Sequence, residues 1–346
     1  MNSTISNSDA TIEQRGADLA RWSRWLVIFL TVTILGATTL WCTVILLDPF
    51  STGRLTPVRR VDVASKNALL GHAARVRDPR FNAAIIGNSH AIPLDPKHIG
   101  DATDLRFAQL GIPAILPAEE FIIGRAFQRH HADIAAIVVV LDDFSCTWED
   151  RVVRAPATFP AFLFEGSDWD YIRHIMFSET IGAAARRLGI LLGLAGEPER
   201  PDGFNPFGYQ ALARGLRIAR IASFRRPSEA PDPNRPPPAL ALLETFVADL
   251  APQTALLLYF TPMPANTLPL PGSAAARWLE LCKARYRALT DARPNSAFLD
   301  RMVDDAFARD TENFEDVEHI RNSSAPILEK DIIEALGAMR SRRATQ

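Results

Sequence analysis

Cysteine, net charge and long apolar runs are all scarce in this chain. Its 346 residues include three cysteines, which cannot build a disulfide framework or a closed zinc site. Because Cys42 lies in the one long apolar run, at most one bridge can form, between Cys146 and Cys282. Lysine and arginine number 38 against 40 aspartates and glutamates, which leaves a net charge of -2. There is therefore no basic surface of the kind that binds nucleic acid, and we expect no nucleic-acid partner.

Proline, in contrast, is abundant and clustered. The chain has 25 prolines. Several lie in the segment 225–238, RRPSEAPDPNRPPP, and such clusters are typical of loops and polyproline-like segments. The overall composition, 47% hydrophobic and 23% charged residues, is that of an ordinary globular protein. The length suits one large domain with an insertion, and two full domains are not required.

The one long apolar run covers residues 25–47, which carry no charge. A helix of this length, at about 1.5 Å per residue, spans the roughly 30 Å of a bilayer's hydrocarbon core. Arg24 and Asp48 bound the run, and Trp25 and Trp41 lie near its ends, where indole rings favour the membrane interface. The run exceeds the apolar core of a signal peptide, and no small-residue cleavage site follows it. The sequence therefore predicts a transmembrane helix that stays attached; the alternative is a buried core helix.

The predicted helix divides the chain into a short tail and a large domain. Arginines and lysines flank the helix on both sides, so the positive-inside rule does not set its orientation. A short polar tail suits a signal anchor, which places residues 1–24 in the cytoplasm. We therefore expect a single-pass protein of the inner (cytoplasmic) membrane that contacts the lipid bilayer through residues 25–47. Residues 48–80 form a connection, and residues 81–346 form an extracytoplasmic, periplasmic domain.

Apolar strands alternate with amphipathic helices through the large domain. The segment 134–141, IAAIVVVL, is rich in β-branched residues and predicts a buried strand. A short strand and a helix precede it, and the order strand, helix, strand predicts a parallel βαβ unit. The predicted fold class is α/β, with a doubly wound, mostly parallel sheet whose ligands lie at the carboxyl ends of the strands. The other predicted strands are 82–86, 254–260 and 297–299, and the predicted helices are 117–130, 272–290 and 325–340.

Residues 145–250 interrupt this alternation. They contain an aromatic-rich stretch at 159–176, an Ala/Leu/Arg-rich helix near 180–194 and the proline-rich segment 225–238. We interpret the region as a helical and proline-rich insertion in the α/β domain, which could wall a substrate groove. It does not read as an independent domain.

Two short motifs could carry chemistry. Gly87-Asn88-Ser89 follows the first strand, where a glycine permits a tight turn and a serine hydroxyl can project from the sheet edge. Asp316 and His319, three residues apart near the C-terminus, can place a carboxylate against an imidazole, as in a serine triad. Each motif alone also has an ordinary explanation, a polar turn for the first and a solvated helix entrance for the second.

Two more residues near these motifs are candidates. Gly111, in FAQLGIP, could present its backbone N–H to a developing oxyanion, or could be an ordinary glycine turn. His90 follows Ser89 directly, but adjacent side chains usually diverge, so His319 is the favoured base.

Together and in this order, the motifs resemble those of the SGNH/GDSL hydrolases, and more closely the membrane-anchored bacterial branch related to polysaccharide O-acetylation proteins. The resemblance covers most of residues 48–340, and the order of the short motifs supplies its specificity. It implies that Ser89 in IIGNSHA is the nucleophile and that Asp316 and His319 in FEDVEHIRN complete a catalytic triad. It also implies that the N–H groups of Ser89 and Gly111 form an oxyanion hole.

One position departs from the family pattern. The third motif of the family supplies an Asn side chain to the oxyanion hole, whereas here the strand ends in Leu141-Asp142-Asp143. An anionic side chain would repel an oxyanion, and losing one donor costs about 2.7–4 kcal/mol of transition-state stabilisation. Three explanations stay open. Asn88 or a backbone donor substitutes, the aspartates face away, or hydrolytic activity is lost or altered.

The resemblance implies a membrane-anchored serine esterase or O-acyltransferase that acts on an acylated glycan or another cell-envelope substrate. No metal and no organic cofactor is implied, although a transferase needs an acyl donor, which a membrane partner could hand over. The alternative is a catalytically inactive protein of the same fold that binds glycan or assembles with a membrane complex. The sequence names neither the acyl group nor its acceptor.

Overall fold

The computed structural model contains a five-stranded sheet in which every strand pair is parallel. The structure describes residues 6–58, 60–147, 153–155, 158–197, 200–205, 214–224, 236–237 and 239–344. The strands are β1 Ala83–Ile86, β2 Phe107–Gln109, β3 Ala136–Leu141, β4 Ala255–Phe260 and β5 Ser296–Asp300. Their order along the sheet is β2-β1-β3-β4-β5, which is a common order of doubly wound folds. The predicted α/β class with a parallel sheet is confirmed.

Twelve α-helices occur within the described ranges, joined by three short 3₁₀ segments at Ala161–Leu163, Ala265–Thr267 and Thr311–Asn313. The first six helices are α1 Ser6–Leu47, α2 Ala68–Arg75, α3 Pro96–Thr103, α4 Pro117–His130, α5 Phe144–Thr147 and α6 Asp168–His174. The other six are α7 Thr180–Leu191, α8 Arg214–Ser223, α9 Leu240–Ala248, α10 Ala274–Asp291, α11 Ala306–Arg309 and α12 Ala325–Ala344. The prediction of a helix over residues 117–130 matches α4 at both ends.

Helices cover both faces of the sheet. Successive residues of a strand point to opposite faces. In β3, Ile137 and Val139 belong to one apolar cluster, together with residues of α4, α9 and α10. Val138 and Val140 belong to a second cluster, together with residues of α3 and α12. Every residue of β3 and β4 is buried, as expected for central strands of a parallel sheet with helices on both sides.

Strand β2 is absent from the strands predicted above. It is 3 residues long, which is too short for a periodic apolar pattern, and it forms by pairing with β1, where Ala83 lies opposite Phe107. The Leu110 N–H then donates to the Ile85 carbonyl at 2.8 Å. This pairing brings the segment that contains Gly111 alongside the end of β1.

Helix α1 is the one described helix that is long and apolar enough to cross a membrane. It begins at Ser6, so the helix continues through most of the tail predicted for residues 1–24. The side chains of Trp25, Ile28 and Leu35 are 58%, 63% and 62% exposed. A buried core helix, the alternative, would cover these side chains. Near its C-terminal end α1 enters the domain, where Val44 is 2% exposed.

The region predicted as an insertion lies between β3 and β4 and contains α5 to α9. Phe159, Phe164 and Tyr171 are buried in the same apolar cluster as one face of the sheet, so this part of the region packs onto the α/β domain. Most of the proline-rich segment 225–238 lies outside the described residues. The predicted role of the region in walling a substrate groove stays a prediction.

Cys146 and Cys282 form a disulfide bond that joins α5 to α10. Both cysteines are buried, at 1% and 0% exposed, within the larger apolar cluster. The remaining cysteine, Cys42, is free and exposed on α1. The disulfide bond between Cys146 and Cys282, which the sequence left open as the one possible bridge, is therefore present in the fold.

Candidate active site

Ser89 lies on the turn that follows β1, at the carboxyl edge of the sheet. A Cβ atom at Gly87 would lie 3.0 Å from the side chains of Ala91 and Val140, so this close approach favours a glycine. The side-chain oxygen of Asn88 accepts the backbone N–H two residues further on at 3.0 Å, which closes the turn. Ser89 itself is half-buried, so its hydroxyl is held in place and remains accessible.

Asp316 and His319 lie on a second turn, which precedes α12. The residues at its base, Phe314 and Ile320, form an antiparallel β-bridge and are both buried. The Glu315 N–H donates to the carbonyl of His319 at 2.8 Å. The turn is thus held by backbone pairing and by apolar burial, and the side chains of Asp316 and His319 are half-buried.

The two turns bring together the three residues that the sequence predicts as a triad. Nε2 of His319 lies 2.8 Å from the Ser89 Oγ, and Nδ1 of His319 lies 2.9 Å from an Asp316 carboxylate oxygen. Both distances are within the reach expected of a nucleophile, a base and its orienting carboxylate. Ser89 and His319 are 230 residues apart in the chain, so only the fold places them in contact.

The Asp316 carboxylate sets the tautomer of His319. Burial by itself would raise the pKa of Asp316, but the hydrogen bond and charge of His319 and the backbone N–H groups of His319 and Glu318 lower this pKa to about 2. Asp316 is therefore ionised at neutral pH and can only accept hydrogen bonds, so Nδ1 of His319 carries the hydrogen. Nε2 is then the acceptor for the Ser89 hydroxyl. This is the arrangement in which an imidazole can take the serine proton.

His90 contacts the base and not the nucleophile. Its ring stacks on that of His319, with the ring centroids 4.9 Å apart and the planes at 22°. The ring is buried, and its Nε2 lies 3.4 Å from an Asp142 carboxylate oxygen. His90 therefore supports one face of the His319 ring, and His319 is the histidine that reaches the serine hydroxyl.

The backbone at Gly111 is packed against the Ser89 turn, but its N–H group is engaged. A Cβ atom at Gly111 would come within 3.0 Å of the Ala91 side chain and of Gln109 Oε1. The Gly111 N–H donates to that same Gln109 oxygen at 2.9 Å. The Ser89 N–H, in contrast, makes no hydrogen bond to any residue that the structure describes. The oxyanion role of Gly111 stays a prediction, because the bond to Gln109 must open before that N–H can face a ligand.

Gln109 is a site residue that the sequence motifs did not indicate. Its buried side-chain amide donates to the carbonyls of Ala91 and Leu94 at 2.8 and 3.0 Å, while its oxygen accepts from Gly111. One side chain thus clamps the serine turn to the glycine loop. The available sequence signal was a polar residue between apolar neighbours in FAQL. If such a residue is buried, its side-chain amide needs hydrogen-bond partners for both its oxygen and its nitrogen.

His72 holds the glycine loop from the other side. Arg75 donates to His72 Nδ1 at 3.0 Å, so Nε2 carries the hydrogen and donates to the Gly111 carbonyl at 3.2 Å. Complete burial, together with the nearby Arg75 charge, lowers the pKa of His72 to about 3 against the opposing effect of the Gly111 bond. His72 is therefore neutral at physiological pH and acts as a positioning residue.

Asp142 is turned toward the serine turn and is tightly bound there. One carboxylate oxygen accepts from the Asn88 side-chain amide at 2.6 Å. The other accepts from the backbone N–H and the hydroxyl of Ser145 at 2.9 and 3.0 Å. Burial raises the pKa of Asp142 in spite of these bonds, so the carboxyl group resists ionisation. Asp142 thus binds the Asn88 side chain, and one of the two amide N–H groups of Asn88 is already used. The oxyanion role of Asn88 stays a prediction.

Within the described residues, one group of side chains could hold a metal ion: His90, Glu318 and His319. The two imidazole rings are nearly parallel, so their in-plane lone pairs do not converge on one point. A shared ion would require one ring to turn and would break the contacts of His319 with Ser89 and Asp316. The arrangement fits a proton-transfer site better than a metal centre.

Glu120, in the first turn of α4, is a buried carboxyl group near the site whose pKa is raised. Burial, followed by the charge of Asp142, raises the pKa of Glu120 to about 8, and its Oε1 atom has no hydrogen-bond partner among the described residues. In the unfolded chain the pKa of Glu120 is near 4.5. Between pH 4.5 and pH 8, therefore, the folded protein binds the Glu120 proton and the unfolded chain does not. The stability that this proton contributes is complete below about pH 4.5 and is lost as the pH rises toward 8, by about 1.4 kcal/mol per pH unit.

We expect the Glu120→Gln variant to unfold at a higher temperature than the wild type at pH 8, because glutamine has no proton to lose. At pH 5 the two unfolding temperatures should be close. Differential scanning fluorimetry of the full chain in detergent from pH 5 to 9 measures this difference.

The neighbouring Glu119 supplies the matched control. It is also buried, but its carboxylate accepts from the guanidinium and backbone N–H of Arg154, so Glu119→Gln should destabilise the fold. Parallel curves of unfolding temperature against pH for wild type and Glu120→Gln would show that Glu120 does not titrate in this window.

No family model matches the chain, and no curated protein matches it in sequence. The case for a function therefore rests on the side chains described above.

Proposed function

We propose that this chain is a membrane-anchored serine esterase or O-acyltransferase of the SGNH type. The observation that carries the proposal is the 2.8 Å contact between Ser89 Oγ and His319 Nε2, with Asp316 holding the opposite ring nitrogen. The chain supplies a nucleophile, a base and an orienting carboxylate, and these are the parts that covalent acyl transfer needs.

The reaction starts with attack of Ser89 Oγ on the carbonyl carbon of an ester. His319 Nε2 takes the serine proton as the new C–O bond forms, and the ionised Asp316 stabilises the resulting imidazolium. The carbonyl oxygen becomes an oxyanion, for which the Ser89 N–H is an available donor. When the intermediate collapses, the bond to the leaving alcohol oxygen breaks and His319 returns the proton to that oxygen. The acyl group is then bound to Ser89.

The second half of the reaction repeats these steps with a new hydroxyl group. Water or a sugar hydroxyl gives its proton to His319 and attacks the acyl carbon, and Ser89 leaves with the proton restored. Water makes the protein an esterase, and a sugar hydroxyl makes it an O-acyltransferase. The active site needs no different residues for the two outcomes.

Two observations support an extracytoplasmic location for this chemistry. Helix α1 is apolar, exposed and long enough to span a bilayer. The domain that follows it contains the Cys146–Cys282 disulfide, and structural disulfides persist in oxidising compartments such as the periplasm. The substrate would then be an acylated glycan or another ester of the cell envelope, and a transferase would receive its acyl group from a membrane partner. The resemblance to polysaccharide O-acetylation proteins supports this substrate class.

The alternative, a non-catalytic protein of the same fold that binds glycan, is favoured by one observation. The predicted oxyanion donors are partly occupied, since the Gly111 N–H is bound to Gln109 and one N–H of Asn88 is bound to Asp142. A site with only the Ser89 N–H would stabilise an oxyanion weakly, because each donor is worth about 2.7–4 kcal/mol.

Trapping the acyl-enzyme tests the proposal against this alternative. We expect the full chain in detergent, mixed with p-nitrophenyl acetate and quenched in acid, to carry an acetyl group on the peptide that contains Ser89, as measured by mass spectrometry. The His319→Ala variant should carry none. Release of acetate or its transfer to an added oligosaccharide separates esterase from transferase. A Ser89 peptide that stays unmodified while no p-nitrophenolate is released would favour the binding protein.

A further inference from the structure

Helix α7 exposes an apolar stripe. Ile181, Ala185 and Leu188, with the C-cap residue Leu192 directly after the helix, recur at the spacing of one helix face, and all four are exposed. The exposed fractions of Ile181, Leu188 and Leu192 are 55%, 43% and 63%. Contiguous apolar side chains on a surface mark a site of interaction with another molecule or with a membrane.

The stripe is not the usual outer face of a helix in this protein. On α10 the exposed positions include Arg277, Glu280 and Arg287, as expected for a face in contact with water. From residue 180 to residue 196 the chain has no aspartate or glutamate, and Leu194, just after α7, is 80% exposed. The segment therefore carries no acidic side chain, and among its charged residues Arg186 is partly exposed while Arg187 is buried.

The opposite face of α7 packs on the end of α1. Ala183 and Ala184 are buried in the same apolar cluster as Val44, which lies in the last turn of α1. Arg187, also fully buried, donates to the Ser51 hydroxyl at 2.7 Å and to the Asp62 carboxylate at 3.0 Å. These contacts fix α7 to the chain segment that leaves the membrane-spanning helix.

These contacts bring α7 next to the C-terminal end of α1. The charge-free run of α1 ends at residue 47, so its last turn lies where hydrocarbon gives way to headgroups. A second exposed apolar side chain lies near the same end: Arg54 donates to the carbonyls of Gly166 and Ser167 at the start of α6, and Trp169 of α6 is 63% exposed. Indole side chains favour the membrane–water interface.

We propose that the exposed stripe of α7 lies in the boundary between acyl chains and headgroups of the same bilayer that α1 crosses. The inference rests on the membrane anchor of the proposed function. A helix with one apolar face lies in the plane of the interface with that face toward the acyl chains, and α7 is already fixed beside the point where α1 leaves the bilayer. With α1 and α7 both in contact with lipid, the domain is held in one orientation on the membrane and the Ser89 edge of the sheet keeps a constant height above it.

Depth-dependent fluorescence quenching tests the proposal on the full chain. The variant Leu192→Cys, with Cys42→Ala to remove the other free thiol, is labelled with bimane and reconstituted into nanodiscs at one chain per disc. We expect nitroxide-labelled lipids to quench the probe several-fold more strongly than aqueous iodide does. Ala284→Cys on the exposed side of α10 is the matched control, and its probe should respond to iodide and not to lipid. Leu35→Cys, in the middle of α1, reports on the anchor alone.

The outcomes separate the two proposals. Lipid quenching at residues 35 and 192 supports both. Lipid quenching at residue 35 with iodide quenching at residue 192 overturns the docking of α7 and leaves the anchor standing. A probe at residue 192 that neither quencher reaches means that protein and not lipid covers the stripe, which also overturns the proposal. Loss of lipid quenching at residue 35 means that α1 does not span the bilayer, and both proposals fail.

Discussion

Replacing Ser89 with alanine is expected to lower kcat for ester hydrolysis by about 10⁴-fold or more, with little change in KM. In the proposed mechanism the Ser89 hydroxyl forms the acyl-enzyme, because His319 Nε2 contacts Ser89 Oγ at 2.8 Å while His90 stacks on the ring of the base. Without it, hydrolysis depends on water and on whatever oxyanion stabilisation the backbone supplies. Initial rates with a series of p-nitrophenyl esters, measured on the full chain in detergent, give both constants.

Ser323→Ala is the matched control for this experiment. Ser323 is exposed and lies only four residues after His319, so the same substitution is made close to the site without touching the triad, and its rates should equal those of the wild type. Equal kcat values for wild type and Ser89→Ala would remove Ser89 from the mechanism. The measured rate would then come from another nucleophile or from surface-catalysed hydrolysis, and the triad geometry would have no catalytic meaning.

Breaking the Cys146–Cys282 bond is expected to cause a large loss of stability. The bond closes a loop over a sequence separation of 136, and the chain-entropy model assigns such a loop about 5 kcal/mol of unfolding free energy. Both sulfurs are also buried in the core, so the double variant Cys146→Ala, Cys282→Ala loses packing as well. We expect a large fall in the thermal unfolding temperature, with increased sensitivity to proteolysis of the segment between β3 and β4.

Cys42→Ala is the control for the disulfide variants, since it removes a cysteine that is free and exposed. Its unfolding temperature should match that of the wild type with or without reductant, whereas reductant should lower the unfolding temperature of both. Alkylation before and after reduction, followed by peptide mass spectrometry, counts the bonded thiols directly. Three alkylated cysteines in unreduced protein isolated from its native membrane would contradict the bond and remove one support for an oxidising location.

The aspartate at the end of β3 has a coherent physical explanation. Asp142 is buried, its carboxyl group resists ionisation, and it receives hydrogen bonds from Asn88 and Ser145. It therefore holds the Asn88 side chain, and with it the turn that carries Ser89. Both of its carboxylate oxygens are engaged, one by the Asn88 side-chain amide and the other by Ser145 of α5. A weakened oxyanion hole is thus compatible with an intact triad.

The sequence by itself determined the features that depend on neighbouring residues. The charge-free run of residues 25–47 predicts a long apolar helix because only its own composition matters. The β-branched segment of β3 and the helix Pro117–His130 follow from periodicity and from a proline at the first helical position. Ser89, Asp316 and His319 were found because each lies in a short motif in the order that the resemblance requires.

Only the tertiary structure decided which of these residues meet and which of their polar groups are already bound. The contact of Ser89 with His319, the disulfide partner of Cys146 and the pairing of the three-residue strand β2 all join segments that are far apart in the chain. No local pattern encodes such a contact, because it depends on how the helices and strands between those segments pack. The bond from Gly111 to the buried Gln109 side chain is close in sequence but depends on rotamers set by that packing. Hydrogen-bond partners in a protein interior are settled by three-dimensional proximity, so the sequence indicated the chemistry of the site and the fold decided its geometry.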